Sequence, residues 1–359
     1  MEQKTVLVIG TGTIGEPLIG LLSRLKNDLG IDRVIFHKRT PLDYEIAKVN
    51  SLVSQGAELS VEINKRQAFE SLGHFSHWGL GEALREADVV IDCTPAGNDN
   101  KEKYYKKLEL QSPKDRVFIA QGSEKGFGVP YAWGVNDKVL SRGGNNFVQV
   151  VSCNTHAISR IILAATAGDT SVLSDSDFVC IRRASDASQD EGFVPSPTVG
   201  GHSSSEFGTH HARDVSDLFQ TRKDKNISIF SSAMKVNSQY MHMVRFSILL
   251  DEKLTREDVV ERFQNDIFVT TTHHKSANRV FSFGRDHGFY GRIYNQAVVC
   301  LPSLLISRFR GLTKVTGFAL TPQDGNSLLS SVSACMYGLH GNDYLDRLEP
   351  IKRFLIDEV

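Results

Sequence analysis

The chain opens on Val6-Leu7-Val8-Ile9-Gly10-Thr11-Gly12-Thr13-Ile14-Gly15: an apolar run, three closely spaced glycines, then a helical pattern. That order dictates a buried strand, a tight turn and a helix starting from the turn. Glycines let the backbone turn sharply and come close to a pyrophosphate, which then rests on the outward N–H groups of the helix N-terminus. Gly10, Gly12 and Gly15 are therefore expected to bind a dinucleotide.

The residues that follow extend this pattern. Thr5–Ile9, Arg33–Phe36, Ala87–Asp92 and Val117–Ala120 read as strands, with helical segments at Glu16–Leu29 and Glu82–Glu86. Strands alternating with helices call for a parallel, doubly wound sheet. The second strand runs on into His37-Lys38-Arg39-Thr40-Pro41. An NAD-selective site usually places an acid there for the ribose 2′-hydroxyl, and Asp32 comes too early to serve. Lys38, Arg39 and Thr40 suit a 2′-phosphate, so NADP is expected, with NAD the alternative.

Beyond about residue 150 the pattern changes. Phe178–Arg182, Ser228–Phe230, Met241–Leu250 and Ala297–Leu301 read as strands, and Thr255–Phe263 as a helix. This predicts an α+β domain built on a mainly antiparallel sheet. Ser185–Glu206, rich in Ser, Asp, Pro and Gly, reads as a long loop of the kind that often carries function. The tail from Asn326 to Val359 reads as helical in two pieces and is placed with the first domain. The expected division is residues 1–152 plus the tail 326–359 for the NAD(P)-binding domain, and 153–325 for the catalytic domain.

One thiol stands apart from the other four. Cys153 follows the apolar run Phe147–Val151 and precedes a helical pattern holding Ile158, Ile161 and Ile162. It would open a helix, where the dipole favours thiolate, and Ser152, Asn154 and Thr155 would supply donors beside it. Cys93, Cys180, Cys300 and Cys335 lie in apolar runs and read as structural. A thiolate nucleophile wants a histidine nearby in space, and 12 histidines are available. His242, opening an otherwise apolar strand, reads by itself as a core histidine. The pairs His210-His211 and His273-His274 put neighbouring side chains on opposite faces of a strand and lack metal-ligand spacing, so no metal site is expected.

Composition narrows the classes. The 359 residues fit two domains, and a formal net charge of −1 gives no pull toward nucleic acid or membrane. Five cysteines in no paired spacing argue for reduced thiols and a cytoplasmic setting. No run reaches the roughly 18 apolar residues of a membrane span, and no signal peptide is read at the start.

Taken together these blocks resemble the archaeal-type (type II) phosphorylating glyceraldehyde-3-phosphate dehydrogenases. The similar blocks, in order, are Gly10–Gly15, Lys38–Pro41, Ala87–Pro95, Gln121–Lys125, Ser152–Thr155, Ile181–Asp186, His210-His211 and Met241-His242. The resemblance implies Cys153 as nucleophile and His242 as general base. It implies backbone contacts from Thr13 and Ile14 to the pyrophosphate, and Lys38 and Thr40 at the 2′-phosphate. Further cofactor contacts are implied at Thr94, Pro95, Gly122, Arg183, Gln323 and Asn326. Ser152, Asn154, Thr155, Arg182, His210 and His211 would hold the substrate. The implied reaction oxidises glyceraldehyde 3-phosphate through a cysteine thioester, with inorganic phosphate as second substrate, in a homo-oligomer, a tetramer by resemblance. Two stretches depart from the family: His156 stands where a threonine is usual, and Ser185–Val199 is unlike its counterpart. Two alternatives therefore stay open, another aldehyde or semialdehyde as substrate, and a cofactor-binding regulator without turnover.

Overall fold

A computed structural model describes residues 3–111, 115–122, 124–142, 146–185, 192, 194–222, 226–322 and 324–359. The chain divides into two compact units. The first comprises Met1–Tyr131, Leu140–Val150 and Ser330–Pro350, the second Ala132–Val139, Val151–Leu329 and Ile351–Val359. Of the tail 326–359 placed by sequence with the first domain, Ser330–Pro350 clusters there, while residues 326–329 fall in the second unit. The last nine residues belong to the second unit, where the Val359 amide donates to the Thr271 carbonyl at 2.9 Å.

The first unit holds a parallel sheet of eight strands. They are β1 (Thr5–Ile9), β2 (Arg33–His37), β3 (Glu58–Val61), β4 (Trp78–Gly79), β5 (Val89–Asp92), β6 (Val117–Gln121), β7 (Val129–Tyr131) and β8 (Phe147–Val150). Their order is β4-β3-β2-β1-β5-β6-β8-β7. The chain thus winds outward from β1 in both directions, and a switch point lies between β1 and β5. Ligands of such sheets bind outside the carboxyl ends of the strands at that point. β1 is buried along its whole length, because helices cover both faces of a parallel sheet. Tyr105, Phe118 and Phe147 stack in sequence on one face, with ring centroids 5.1 and 5.0 Å apart. β3 was not legible in the sequence, being only four residues long with a glutamate at its start.

The second unit carries a mixed sheet. Its strands are β9 (Leu173–Arg182), β10 (Thr198–Val199), β11 (Phe230–Lys235), β12 (His242–Leu250), β13 (Val269–Thr272), β14 (Ala297–Cys300), β15 (Leu305–Phe309) and β16 (Leu312–Thr321). The path runs β10-β11-β9-β12-β16-β14-β13, with β15 beside β16. The centre, β9-β12-β16-β14, is antiparallel as expected, while β11 joins β9 and β13 joins β14 in parallel. The helices Cys153–Ala165, His210–Gln220 and Arg256–Gln264 send Ile158, Ile161, Ile162, Val215, Phe219, Val259 and Phe263 into one core with Phe178, Val244, Phe246 and Ile248. β11 lies later than predicted, and its Ser231 is a buried hydrogen-bonding group whose Oγ accepts from the Ala212 amide at 3.0 Å. Part of the predicted long loop pairs as β10, while residues 186–191 and 193 of it lie outside the described set. Among the described residues no helix is long and apolar enough to cross a membrane.

Candidate active site

The glycine turn of the first unit has the shape its sequence demands. Gly10 takes a φ of +98°, open to glycine and strained for other residues. A side-chain carbon on Gly15 would sit 2.1 Å from the Gly10 carbonyl oxygen, so helix and strand close tightly there. Gly12 differs: a carbon added to it would meet nothing within 4 Å. Two glycines therefore make the turn, and the third leaves an open cradle before the helix Gly15–Arg24, whose start no side chain among the described residues caps. That combination fits a pyrophosphate.

Around the cradle, Cys93-Thr94-Pro95 follows β5. Asp92 organises this loop by accepting from the Tyr105 hydroxyl at 2.6 Å, from Asn100 Nδ2 at 2.9 Å and from the Thr94 amide at 2.9 Å. Gly122 ends β6 at a φ of +71°, with open space where a side chain would be. Beyond β2, Arg39 and Thr40 are exposed, whereas Lys38 is buried and ion-paired with Glu45. Burial holds His37 neutral, with its pKa lowered to about 4, so it adds no cation to this corner. Asp32 lies at the far end of β2, where it accepts from the Lys4 amide at 2.8 Å.

Separately, in the second unit, Cys153 is the first residue of the helix Cys153–Ala165, with Ser152 as N-cap. Ser152 Oγ lies 2.8 Å from Thr155 Oγ1 and accepts from the Thr155 amide at 3.4 Å, so Thr155 shapes the cap from a fully buried position. Asn326 Nδ2 donates to the Cys153 carbonyl at 2.9 Å and to the Gln296 carbonyl at 3.0 Å, tying the start of the helix to the segment after β16. Gln323 lies outside the described residues. Asn154 is buried, and its Oδ1 has no hydrogen-bond partner among the described residues. Such an acceptor costs about 1–3 kcal/mol until a donor reaches it.

The end of β9 carries the charge. Arg183 is buried: its guanidinium donates to both oxygens of Asp324 at 3.2 Å and to the Gln239 and Tyr240 carbonyls at 3.4 and 3.3 Å. Its backbone amide donates to His242 Nδ1 at 2.9 Å. Arg182, by contrast, is exposed. The helix His210–Gln220 starts beside it with His211 buried and neither ring nitrogen hydrogen-bonded among the described residues. Burial, then the charges of His210 and Arg182, push the His211 pKa down to about 3.

These groups feel one another's charge. Burial first, then Asp324, raise the Cys153 thiol to about 11 against the opposing pull of Arg183, the Asn154 amide and Arg182. Burial lowers His242 to about 3, helped by Arg183, Arg182 and His211. His242 is therefore neutral, and since Nδ1 accepts from Arg183, its proton sits on Nε2. The free nitrogen donates; it has no lone pair with which to act as a base. Alkylation of Cys153 by iodoacetamide, followed by peptide mass spectrometry, should be slow at pH 7 and rise about tenfold per pH unit toward pH 10. A flat rate between pH 6 and 9 would reveal a thiolate–imidazolium pair instead.

His156, the departure from the family pattern, points away from this chemistry. It is fully buried, its Nδ1 lies 3.0 Å from the Ser152 carbonyl, and burial lowers it to about 4. It braces the first turn of the helix. Sequence reading missed Glu45, Lys48 and Asp324. The first two carry only a weak signal, opposite charges three residues apart after Pro41, and Asp324 has no local signal at all.

Over most of its length the chain is similar to archaeal proteins named glyceraldehyde-3-phosphate dehydrogenase. The Pyrobaculum calidifontis protein is 28% identical over 71% of this chain and 69% of its own length. That of Pyrococcus abyssi is 28% identical over 81% of each chain, and that of Methanocaldococcus jannaschii 27% identical over 82% of each. No family model matches the chain. With the parallel sheet and its open glycine cradle, these likenesses support a nicotinamide-dependent oxidoreductase.

Proposed function

We propose that the chain is a phosphorylating glyceraldehyde-3-phosphate dehydrogenase, acting on the phosphorylated aldehyde with inorganic phosphate and NADP, with NAD the alternative cofactor. The observation that carries the reading is the grouping in the second unit: a thiol on the first residue of a helix, within charge range of the arginines at the end of β9, which also act on His242. Gly10, Gly12 and Gly15 would hold the pyrophosphate, with Thr13 and Ile14 beside it, and Thr94, Pro95 and Gly122 would line the rest of the cofactor groove. The resemblance assigns Asn326 to the cofactor as well, and its buried Oδ1 has no partner among the described residues. A bound nicotinamide supplies the hydride acceptor.

The Cys153 thiol loses its proton to solvent and the thiolate adds to the aldehyde carbon, forming the carbon–sulfur bond. Charge moves to the carbonyl oxygen, where the helix N-terminal amides and His242 Nε2–H donate to it. Because thiolate attack leaves an oxyanion, no base is needed to remove a hydroxyl proton before hydride departs. His242 is thus a donor in this mechanism, where the family resemblance makes it a base. Loss of hydride leaves a thioester, and a phosphate oxygen then displaces sulfur. Asn154 Oδ1 is suited to accept from a substrate hydroxyl. Arg182, His210 and the single N–H of the neutral His211 ring suit a phosphate group, and Ser152 and Thr155 hold the geometry around the thiol. Arg183 serves as a positioning residue, since Asp324 and two carbonyls already occupy its guanidinium.

The test is NADP+ reduction with glyceraldehyde 3-phosphate, run with and without inorganic phosphate. Phosphate-dependent turnover is expected; turnover indifferent to phosphate would overturn the phosphorylating step. The open cradle gives a second check. Gly12→Ala should leave the melting temperature within about 2 °C of wild type, since the new methyl meets no protein atom. It should weaken both dinucleotides about tenfold or more, because the methyl enters the space the pyrophosphate needs. Unchanged affinity measured by calorimetry would place the nucleotide elsewhere.

A further inference from the structure

We propose that Glu45 sets the choice between the two nicotinamide cofactors by occupying Lys38 and Lys48, and that Lys48 is a further cation of the cofactor site. The inference rests on the dinucleotide-binding reading above and deepens it.

Lys48 stands on the helix Ile46–Ser54, and its Nζ donates to the Thr11 carbonyl at 3.3 Å, inside the glycine turn. Lys38 follows β2 directly. The ribose nearest adenine is read between that turn and the end of the second strand. The two lysines therefore bracket the place where NAD and NADP differ.

Between them lies one carboxylate. Glu45 Oε2 pairs with Lys38, Glu45 Oε1 is 2.6 Å from Lys48 Nζ, and Glu16 Oε2 is 3.5 Å from the same nitrogen. Two cations thus meet two anions, and the corner that looks basic in sequence is close to neutral in its inner part. Arg39 stays exposed, and Lys65 donates to the Arg39 carbonyl at 2.9 Å.

This arrangement treats the two cofactors oppositely. A 2′-hydroxyl can donate to the Glu45 carboxylate, as it does to the acid of an NAD site. A 2′-phosphate carries up to about two negative charges and must win the lysines from Glu45 or be repelled by it. Charge-assisted bonds from Lys38, Lys48 and Arg39 then repay the exchange. Glu45 thus narrows the NADP preference that Lys38, Arg39 and Thr40 suggest on their own.

Calorimetric titration of the full chain with NADP+ and with NAD+ tests this. Glu45→Gln should tighten NADP+ about tenfold and leave NAD+ unchanged or weaker. Lys48→Gln should weaken NADP+ about tenfold and alter NAD+ by less than about twofold. Glu45→Gln leaves Lys38 buried without its partner, so a thermal melt accompanies it. Should that variant unfold, Lys48→Gln, which keeps the Lys38–Glu45 pair, decides alone. Equal changes for both cofactors, or none, would overturn the inference while leaving the dinucleotide site intact. A wild-type chain that binds neither cofactor would overturn the dinucleotide reading and this inference with it.

Discussion

Cys153→Ser should abolish phosphate-dependent NADP+ reduction, lowering kcat by about 10⁴-fold or more at unchanged cofactor affinity. The serine keeps the helix start, the Ser152 cap and the Asn326 contact to the backbone carbonyl, so a folded protein with a normal cofactor site is expected. What it loses is the sulfur. A hydroxyl at this place ionises far less readily than a thiol, and neither histidine described near the thiol compensates: His242 carries its proton on Nε2 and His156 is turned to a carbonyl. Steady-state turnover and a cofactor titration on the same preparation separate the outcomes. Turnover within tenfold of wild type would remove Cys153 from the chemistry; a parallel loss of cofactor affinity would point to misfolding.

The second large effect concerns His242. His242→Ala should lower kcat by about 10²–10³-fold, the usual cost of one oxyanion donor. His242→Gln should recover about tenfold or more of that loss. Its carboxamide oxygen can accept from the Arg183 amide while its NH₂ donates where Nε2–H does now. A general base would behave otherwise, since glutamine cannot take a proton and would be no better than alanine. The pH profile gives an independent readout. With His242 held neutral down to about 3 by burial and by the arginines, no acid limb near pH 6–7 should belong to it. An acid limb there that disappears in His242→Gln would restore the base.

The glycine turn and the opening of a helix by Cys153 were legible in sequence, because each depends on residues adjacent along the chain. Lys38 shows where that kind of reading stops. In sequence it is a free cation at the end of β2; in the folded unit it is buried against Glu45, seven residues on, and shares that acid with Lys48. Arg183 shows the same limit at longer range, spent on Asp324 at a separation of 141 residues. His156 read as a departure that put the substrate in doubt, and the fold turns it into a buried brace.

The chain by itself determined the alternation that makes a parallel sheet, the glycines that open a cradle at its switch point, and the thiol at a helix start. Those follow from periodicity, backbone freedom and local capping, which act over a few residues. Only the tertiary structure decided which side chains keep their charge or proton for a ligand. It set the tautomer of His242 through an amide 59 residues away, and it neutralised Lys38 with Glu45 and Arg183 with Asp324, 141 residues on. Burial and pairing are properties of the packed chain, and a group's pKa and availability follow from them rather than from its neighbours in sequence.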